Sequence, residues 1–202
     1  MNFMSMDVML AACLFGVVSY ITPGPNNTMI LASSVNFGLR RSLPHLLGIC
    51  IGFSVMLFLV GAGLHTVLST YPVVLQVMRY AGAAYLLWLA WKLASAHAST
   101  ADIITPARPL SFLGACAFQW VNPKAWVMAM TTMTTYLPDG AGLWQVFLLA
   151  TLMTVVGSPC VLVWAAFGSA MRGYLQDARR LRLFNRVMAA TLVASLYPLL
   201  YS

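Results

Sequence analysis

Two strings in this 202-residue chain set polar and conformationally awkward residues inside apolar sequence: Thr22-Pro23-Gly24-Pro25-Asn26-Asn27 and Asn122-Pro123-Lys124. Each proline removes a backbone donor and clashes with the preceding helical turn. Gly24 weakens a helix further, so a continuous helix through the first string is disfavoured. In hydrocarbon, the backbone groups freed by a break must be satisfied by protein or by a water-lined cavity. The half-helix that follows starts with free N–H groups and partial positive charge, which suits a carboxylate. Asn26 and Asn27 are placed to cap that half-helix and to present amides to a ligand. The alternative is a kink that only shapes packing, although a kink does not require two consecutive asparagines.

Lys124 carries the other chemically suggestive feature. A lysine near the bilayer centre costs on the order of 3 kcal/mol on insertion scales, and its place near the middle of an apolar segment makes snorkelling hard. The chain has no glutamate, and Asp7, Asp102, Asp139 and Asp177 all fall at segment ends or in loops. Two roles therefore stay open for Lys124: contact with a substrate or its pathway, or bonds to carbonyls exposed by the broken first helix. The candidate binding residues are Pro23, Gly24, Pro25, Asn26, Asn27, Asn122, Pro123 and Lys124. Arg79 lies within snorkelling reach of an interface, and its alternative role is at the outer mouth of a pathway. His45, His65 and His97 sit near segment ends or in loops and read as interfacial. Cys13, Cys50, Cys116 and Cys160 are scattered through apolar stretches, with no CxxC pair and no zinc spacing. No metal, no cofactor and no catalytic residue is expected, because no Ser/His or Asp/Asp arrangement appears at membrane depth.

These residues must be positioned by membrane helices. Only 7% of the chain is charged and 61% is hydrophobic, with a mean hydropathy of +0.84, whereas a soluble domain carries about 25% charged residues. Spans need roughly 20 apolar residues each, and charge-poor apolar stretches define six: residues 8–39, 43–65, 72–94, 110–137, 140–171 and 183–201. The N-terminal stretch lacks a basic n-region and runs past an h-region, so it reads as a retained first span. The first, fourth and fifth are long, and each has a Pro/Gly element near its middle: Pro23-Gly24-Pro25, Asn122-Pro123 and Gly157-Ser158-Pro159. Nine of the 11 basic residues fall in the first, third and fifth loops. Cytoplasmic loops are enriched in Lys and Arg, so both termini are expected to be periplasmic. The net charge of +7 then reflects topology, with lipid headgroups as partners of the 179–186 run and no nucleic acid.

The longest polar stretch, 95–109, divides a single transmembrane domain, 1–202, into repeats at about 7–94 and 110–202. Three helices per half place the second half upside down relative to the first, the inverted-repeat plan of many secondary transporters. The first and fourth helices are expected to break near the midplane. At an offset of 100 residues, Tyr20-Ile21-Thr22-Pro23 lines up with Trp120-Val121-Asn122-Pro123 in residue class. Gly48 and Gly52 favour a close helix contact within the chain and leave a homo-oligomer open. Trp120 and Trp126 lie away from segment ends and are candidates to line or flank a central cavity.

The chain resembles the LysE/RhtB family of bacterial amino-acid exporters over nearly its whole length. The resemblance is carried by TPGPNN, by the spacing of Gly38, Gly48 and Gly52 around Arg40-Arg41, by YAGAAYLLWLAWK at 80–92 and by QWVNPKAW at 119–126. Ser42 departs from the pattern, where family members often have a further glycine. TPGPNN together with AGAAYLLWLAWK looks most like the RhtB-type branch. The resemblance implies an inner-membrane secondary transporter, not an enzyme, that exports a small amino acid or derivative, homoserine/threonine-like or cysteine-like. It also implies that the proton motive force drives export. No intramembrane Asp or Glu is present to carry the counter-proton. A channel for small solutes is the competing class, but it would need a continuous polar lining.

Overall fold

The computed structural model describes residues 4–64, 72–95 and 108–197. Among them eight α-helices run in order: α1 (Met6–Ile21), α2 (Pro25–Phe37), α3 (Leu39–Leu59), α4 (Pro72–Ala94), α5 (Phe112–Gln119), α6 (Pro123–Tyr136), α7 (Leu143–Met171) and α8 (Ala178–Ala194). A π-turn over Val60–Leu64 extends α3. The expected spans correspond to α1 with α2, α3, α4, α5 with α6, α7 and α8. Leu39–Leu64 and Leu143–Met171 are each long and apolar enough to cross a membrane, and α1 with α2 forms a third candidate bent by 53°. The described part of the chain is thus an all-helical protein with membrane-crossing elements.

Both expected breaks are present, at 22–24 and at 120–122. In each, the second half starts on a proline at the first helical turn, Pro25 for α2 and Pro123 for α6. That position has no use for a backbone N–H and suits the fixed φ of proline. In helix position the counterpart of Pro123 is Pro25, two residues beyond the Pro23 that the 100-residue offset selects. Pro159, by contrast, does not interrupt α7. The hydroxyls of Thr154 and Ser158 bond to the carbonyls of Ala150 and Thr154, keeping polar groups around the proline satisfied. The last helix starts earlier than the apolar pattern suggests, because the Asp177 carboxylate caps it, accepting from Arg179 N and Arg180 N. Those bonds, Arg180 N–H foremost, hold the Asp177 carboxyl below its ordinary value.

The helices pack around α3 and α7. Helix α3 lies against α5 and α7, α1 and α2 lie against α7, and α4 pairs with α8. Gly48 and Gly52 make the α3–α5 approach: a methyl on Gly48 would meet the Phe112 carbonyl, and one on Gly52 would stand 2.6 Å from Cys116 Cα. The expected GxxxG contact is therefore intramolecular. The α2–α3 turn passes through Gly38 at φ 82, a left-handed conformation that favours glycine. Large apolar residues such as Leu14, Leu47, Val77, Val155 and Val163 point outward, a surface suited to lipid rather than water. His45 corrects the interfacial expectation. It is 1% exposed, with Nδ1 3.0 Å from the Ser33 hydroxyl, because the face of α3 that carries it turns toward α2. His65, His97, the Arg79 side chain, most of the 95–109 linker and the Tyr201-Ser202 end lie outside the described residues.

Candidate functional site

The first break exposes a run of carbonyls at the end of α1, and each finds a donor. Val18 O accepts from Thr22 N at 3.1 Å, and Ser19 O from the Thr22 hydroxyl at 3.0 Å. Tyr20 O accepts from Asn27 Nδ2 at 2.7 Å, and Ile21 O from Trp164 Nε1 on α7 at 3.1 Å. Thr22 O takes both Asn27 Nδ2 and Lys124 Nζ, each at 2.8 Å. Lys124 Nζ also bonds Thr22 Oγ1 at 2.8 Å and Pro23 O at 3.3 Å. Gly24 O returns to the helical pattern by accepting from Thr28 N. Paired in this way, the non-helical segment between α1 and α2 leaves none of these acceptors orphaned.

The N-terminal side of the same break is left more open. The cap residue of α2 is Gly24, with no side-chain cap bond. The expectation that Asn26 and Asn27 cap α2 is therefore corrected. Pro25 takes the first helical position, so both asparagines fall inside the first turn, where side chains lean back toward the N-terminus. Asn27 consequently reaches α1. Asn26 pairs with Gln119 of α5, donating to Oε1 at 2.8 Å and accepting from Nε2 at 3.2 Å. Gln119 is fully buried and also donates to Ala115 O at 2.9 Å.

The second break is closed locally. Trp120 N, Val121 N and Asn122 N each bond back three residues, to Ala117, Phe118 and Gln119 carbonyls. Asn122 Oδ1 caps α6 by accepting from Lys124 N at 3.1 Å. Trp126 Nε1 donates to Trp120 O at 2.9 Å, and the two indoles meet edge to face. Trp120 and Trp126 thus brace the break and flank the apolar core.

The two breaks meet at one partly open cavity. Gly24, Asn26, Asn27, Asn122 and Lys124 all line it. Pro23, Pro25 and Pro123 shape the breaks without lining the cavity. Phe53, Ile49, Met128 and Val161 form its apolar side, and Ser19 and Tyr20 also line it. The Tyr20 ring stands edge-on to Phe53 and fills the space where Gly157 lacks a side chain. A methyl on Gly24 would lie 2.8 Å from Lys124 Cδ, so glycine there makes room for the lysine rather than for a special backbone angle. Sequence reasoning missed Thr22, Gln119 and Trp164. For Gln119 a signal existed, an amide directly before Trp120 in an apolar half-helix, whereas nothing local marks Trp164.

Electrostatically, the cavity gathers opposite helix ends. The carbonyl-rich C-terminus of α1 is a cation site, and Lys124 Nζ sits there. The N-termini of α2 and α6 both open beside it, and helix N-termini attract anions. Among the described residues no carboxylate lies at either break: Asp7 is in the first turn of α1, Asp139 precedes α7 and Asp177 caps α8.

The LysE type translocator family model matches residues 17–201, a span that includes both breaks. A cysteine/O-acetylserine efflux protein of Escherichia coli O9:H4 (strain HS) is 31% identical over 192 residues, covering 94% of this chain and 96% of that protein. The protein of the same description from Escherichia coli K12 has the same identity and coverage. One from Shigella flexneri serotype 5b is 32% identical over 181 residues, covering 89% of this chain and 90% of its own length. No solved structure matches significantly. With nearly the whole chain matched by the family model and by relatives above 30% identity, the protein belongs to the LysE family of membrane translocators.

Proposed function

We propose that the protein exports a small amino acid or amino-acid derivative, cysteine-like or homoserine/threonine-like, from the bacterial cytoplasm by alternating access. The observation that carries this reading is the convergence of the α1 carbonyls, the α2 and α6 N-termini and Lys124 on one cavity. A zwitterion has one charge for each half of that arrangement. The carboxylate meets Lys124 and the uncapped start of α2, where charge-assisted hydrogen bonds contribute about 1.5–3 kcal/mol each. The ammonium meets carbonyls freed by the first break. The names of the relatives, cysteine/O-acetylserine efflux proteins, support a small polar amino acid as cargo.

The transport cycle rests on two inverted repeats, about 7–94 and 110–202, within one inner-membrane domain and joined by a cytoplasmic linker at 95–109. Both termini are then periplasmic. Helix order supports this: a broken span, a long span and a third span occur twice. Packing supports it too, since α3 on α5 has its reciprocal in α7 on α1, while α3 meets α7 and α4 meets α8. Rocking one repeat against the other around the shared cavity exposes it alternately, with the proton motive force as the driving gradient.

The decisive experiment loads cells with dipeptides of single amino acids and follows efflux, comparing intact protein with Lys124→Ala at matched membrane abundance. Faster release of at least one amino acid with intact protein is expected, lost in the variant and collapsed by a protonophore. Release no faster than from cells without the protein overturns the exporter reading. Release untouched by Lys124→Ala overturns the site. Reporter fusions at 101 and 140 should report cytoplasm and periplasm, respectively.

A further inference from the structure

Lys124 holds more than a place in the cavity wall. Its ammonium has three acceptors, Thr22 O and Oγ1 at 2.8 Å and Pro23 O at 3.3 Å, all on the carbonyl end of the first break. These are the groups that the export reading assigns to the ammonium of a bound amino acid. One set of acceptors does not serve two ammonium groups at once. We infer that Lys124 Nζ is a tethered stand-in for the substrate's ammonium, and that loading is an exchange in which Lys124 leaves the Thr22 and Pro23 acceptors and pairs with the incoming carboxylate. The inference rests on the export reading and adds to it a rule about which molecules can load.

The rule follows from charge. The chain has no glutamate, and no described aspartate lies at either break, so among the described residues the site holds one cation with only dipoles around it. A zwitterion brings one charge of each sign and leaves the net charge unchanged. A molecule with the ammonium alone would put two cations side by side in a site with no anion, a repulsion that the low local dielectric magnifies. A molecule with the carboxylate alone draws Lys124 off the break and brings no ammonium for the acceptors it leaves. Both the ammonium and the carboxylate are therefore required, because the lysine must be displaced and then re-paired. Space is consistent with a swing rather than a wholesale rearrangement: Lys124 passes beside Gly24, where a side chain would block Cδ and stand 3.3 Å from Nζ.

The test uses purified protein in proteoliposomes and counterflow of labelled L-cysteine or L-threonine. The competitors are the unlabelled amino acid, its methyl ester, which keeps only the ammonium, and its N-acetyl derivative, which keeps only the carboxylate. In intact protein both derivatives should compete at least about tenfold more weakly than the amino acid, the loss of one charge-assisted pair. In Lys124→Met the break acceptors stand open, so the ester should stabilise the protein against heat at concentrations at least about tenfold lower than it needs with intact protein, while the free amino acid loses its advantage. An ester that competes as well as the amino acid in intact protein, or whose effect is unchanged by Lys124→Met, overturns the exchange. If Lys124→Met does not fold, the comparison in intact protein still decides. Counterflow of neither amino acid overturns the cysteine-like or threonine-like export reading and the exchange with it, whereas counterflow with an equally effective ester overturns the exchange alone.

Discussion

The two helix breaks start from similar sequence, a proline at the first turn of a second half-helix beside an asparagine, and are held in opposite ways. The second closes its backbone from within: a tight turn, the Asn122 cap and the Trp126 indole supply its backbone bonds within residues 117–126, and the Gln119 amide ties it to Asn26 of the first. The first depends on distant residues, with Lys124 and Trp164 arriving from 102 and 143 positions away. Its own α2 cap is a bare glycine. A break that closes itself is a scaffold. A break whose carbonyls are held by a long, flexible side chain from elsewhere can exchange that partner for another, which is what a binding site needs.

That contrast can be tested through stability in detergent. The largest effect is expected from Asn27→Leu, which removes the donor to Tyr20 O and one donor to Thr22 O and should cost about 2–4 kcal/mol. A smaller loss than that of Asn122→Ala would erase the difference between the breaks. Next comes the amide pair that joins them. A double-mutant cycle on Asn26→Leu and Gln119→Leu should return a coupling of about 1–3 kcal/mol, since one change takes a partner from the buried Gln119 amide and the other from the half-buried Asn26 amide. Additive losses would mean that the breaks are held independently. Asn122→Ala removes only a local cap and should cost about 1 kcal/mol, read from the unfolding midpoint. Trp126→Phe is expected to be the mildest, roughly 0.5–1 kcal/mol, because the ring contact with Trp120 persists. A loss exceeding that of Trp164→Phe, which strands the Ile21 carbonyl, would make the second break the more fragile one.

Much of the architecture was legible in the sequence. Apolar run length located the helices, and proline chemistry located both breaks, because each depends on residues adjacent in the chain. The last helix was placed late, since a polar N-cap and an arginine-rich first turn mask it from a hydropathy reading. The partners of the break carbonyls were less accessible. Lys124 was legible as an uncompensated charge, and bonding to the exposed carbonyls was one of the two roles open to it. Asn27 was legible as a polar residue at depth but not as a donor directed backward, which follows from Pro25 rather than Pro23 opening α2. Trp164 and the buried Ser33–His45 pair were illegible, because an indole in an apolar helix and a histidine near a segment end look the same whether or not they meet a partner across the bundle.

The dependence of the first break on distant donors also sets an order of events during synthesis. The carbonyls of Thr22 and Pro23 leave the ribosome about 102 residues before the lysine that bonds them, and that of Ile21 does so 143 residues before the Trp164 indole. In that interval Asn27, five to seven residues on, already supplies donors to Tyr20 O and Thr22 O. The first span therefore cannot be released into lipid as a finished element. Until the second half arrives, the carbonyls of Ile21 and Pro23 have water or other protein as their partners, so the first break is completed only once both halves have been made.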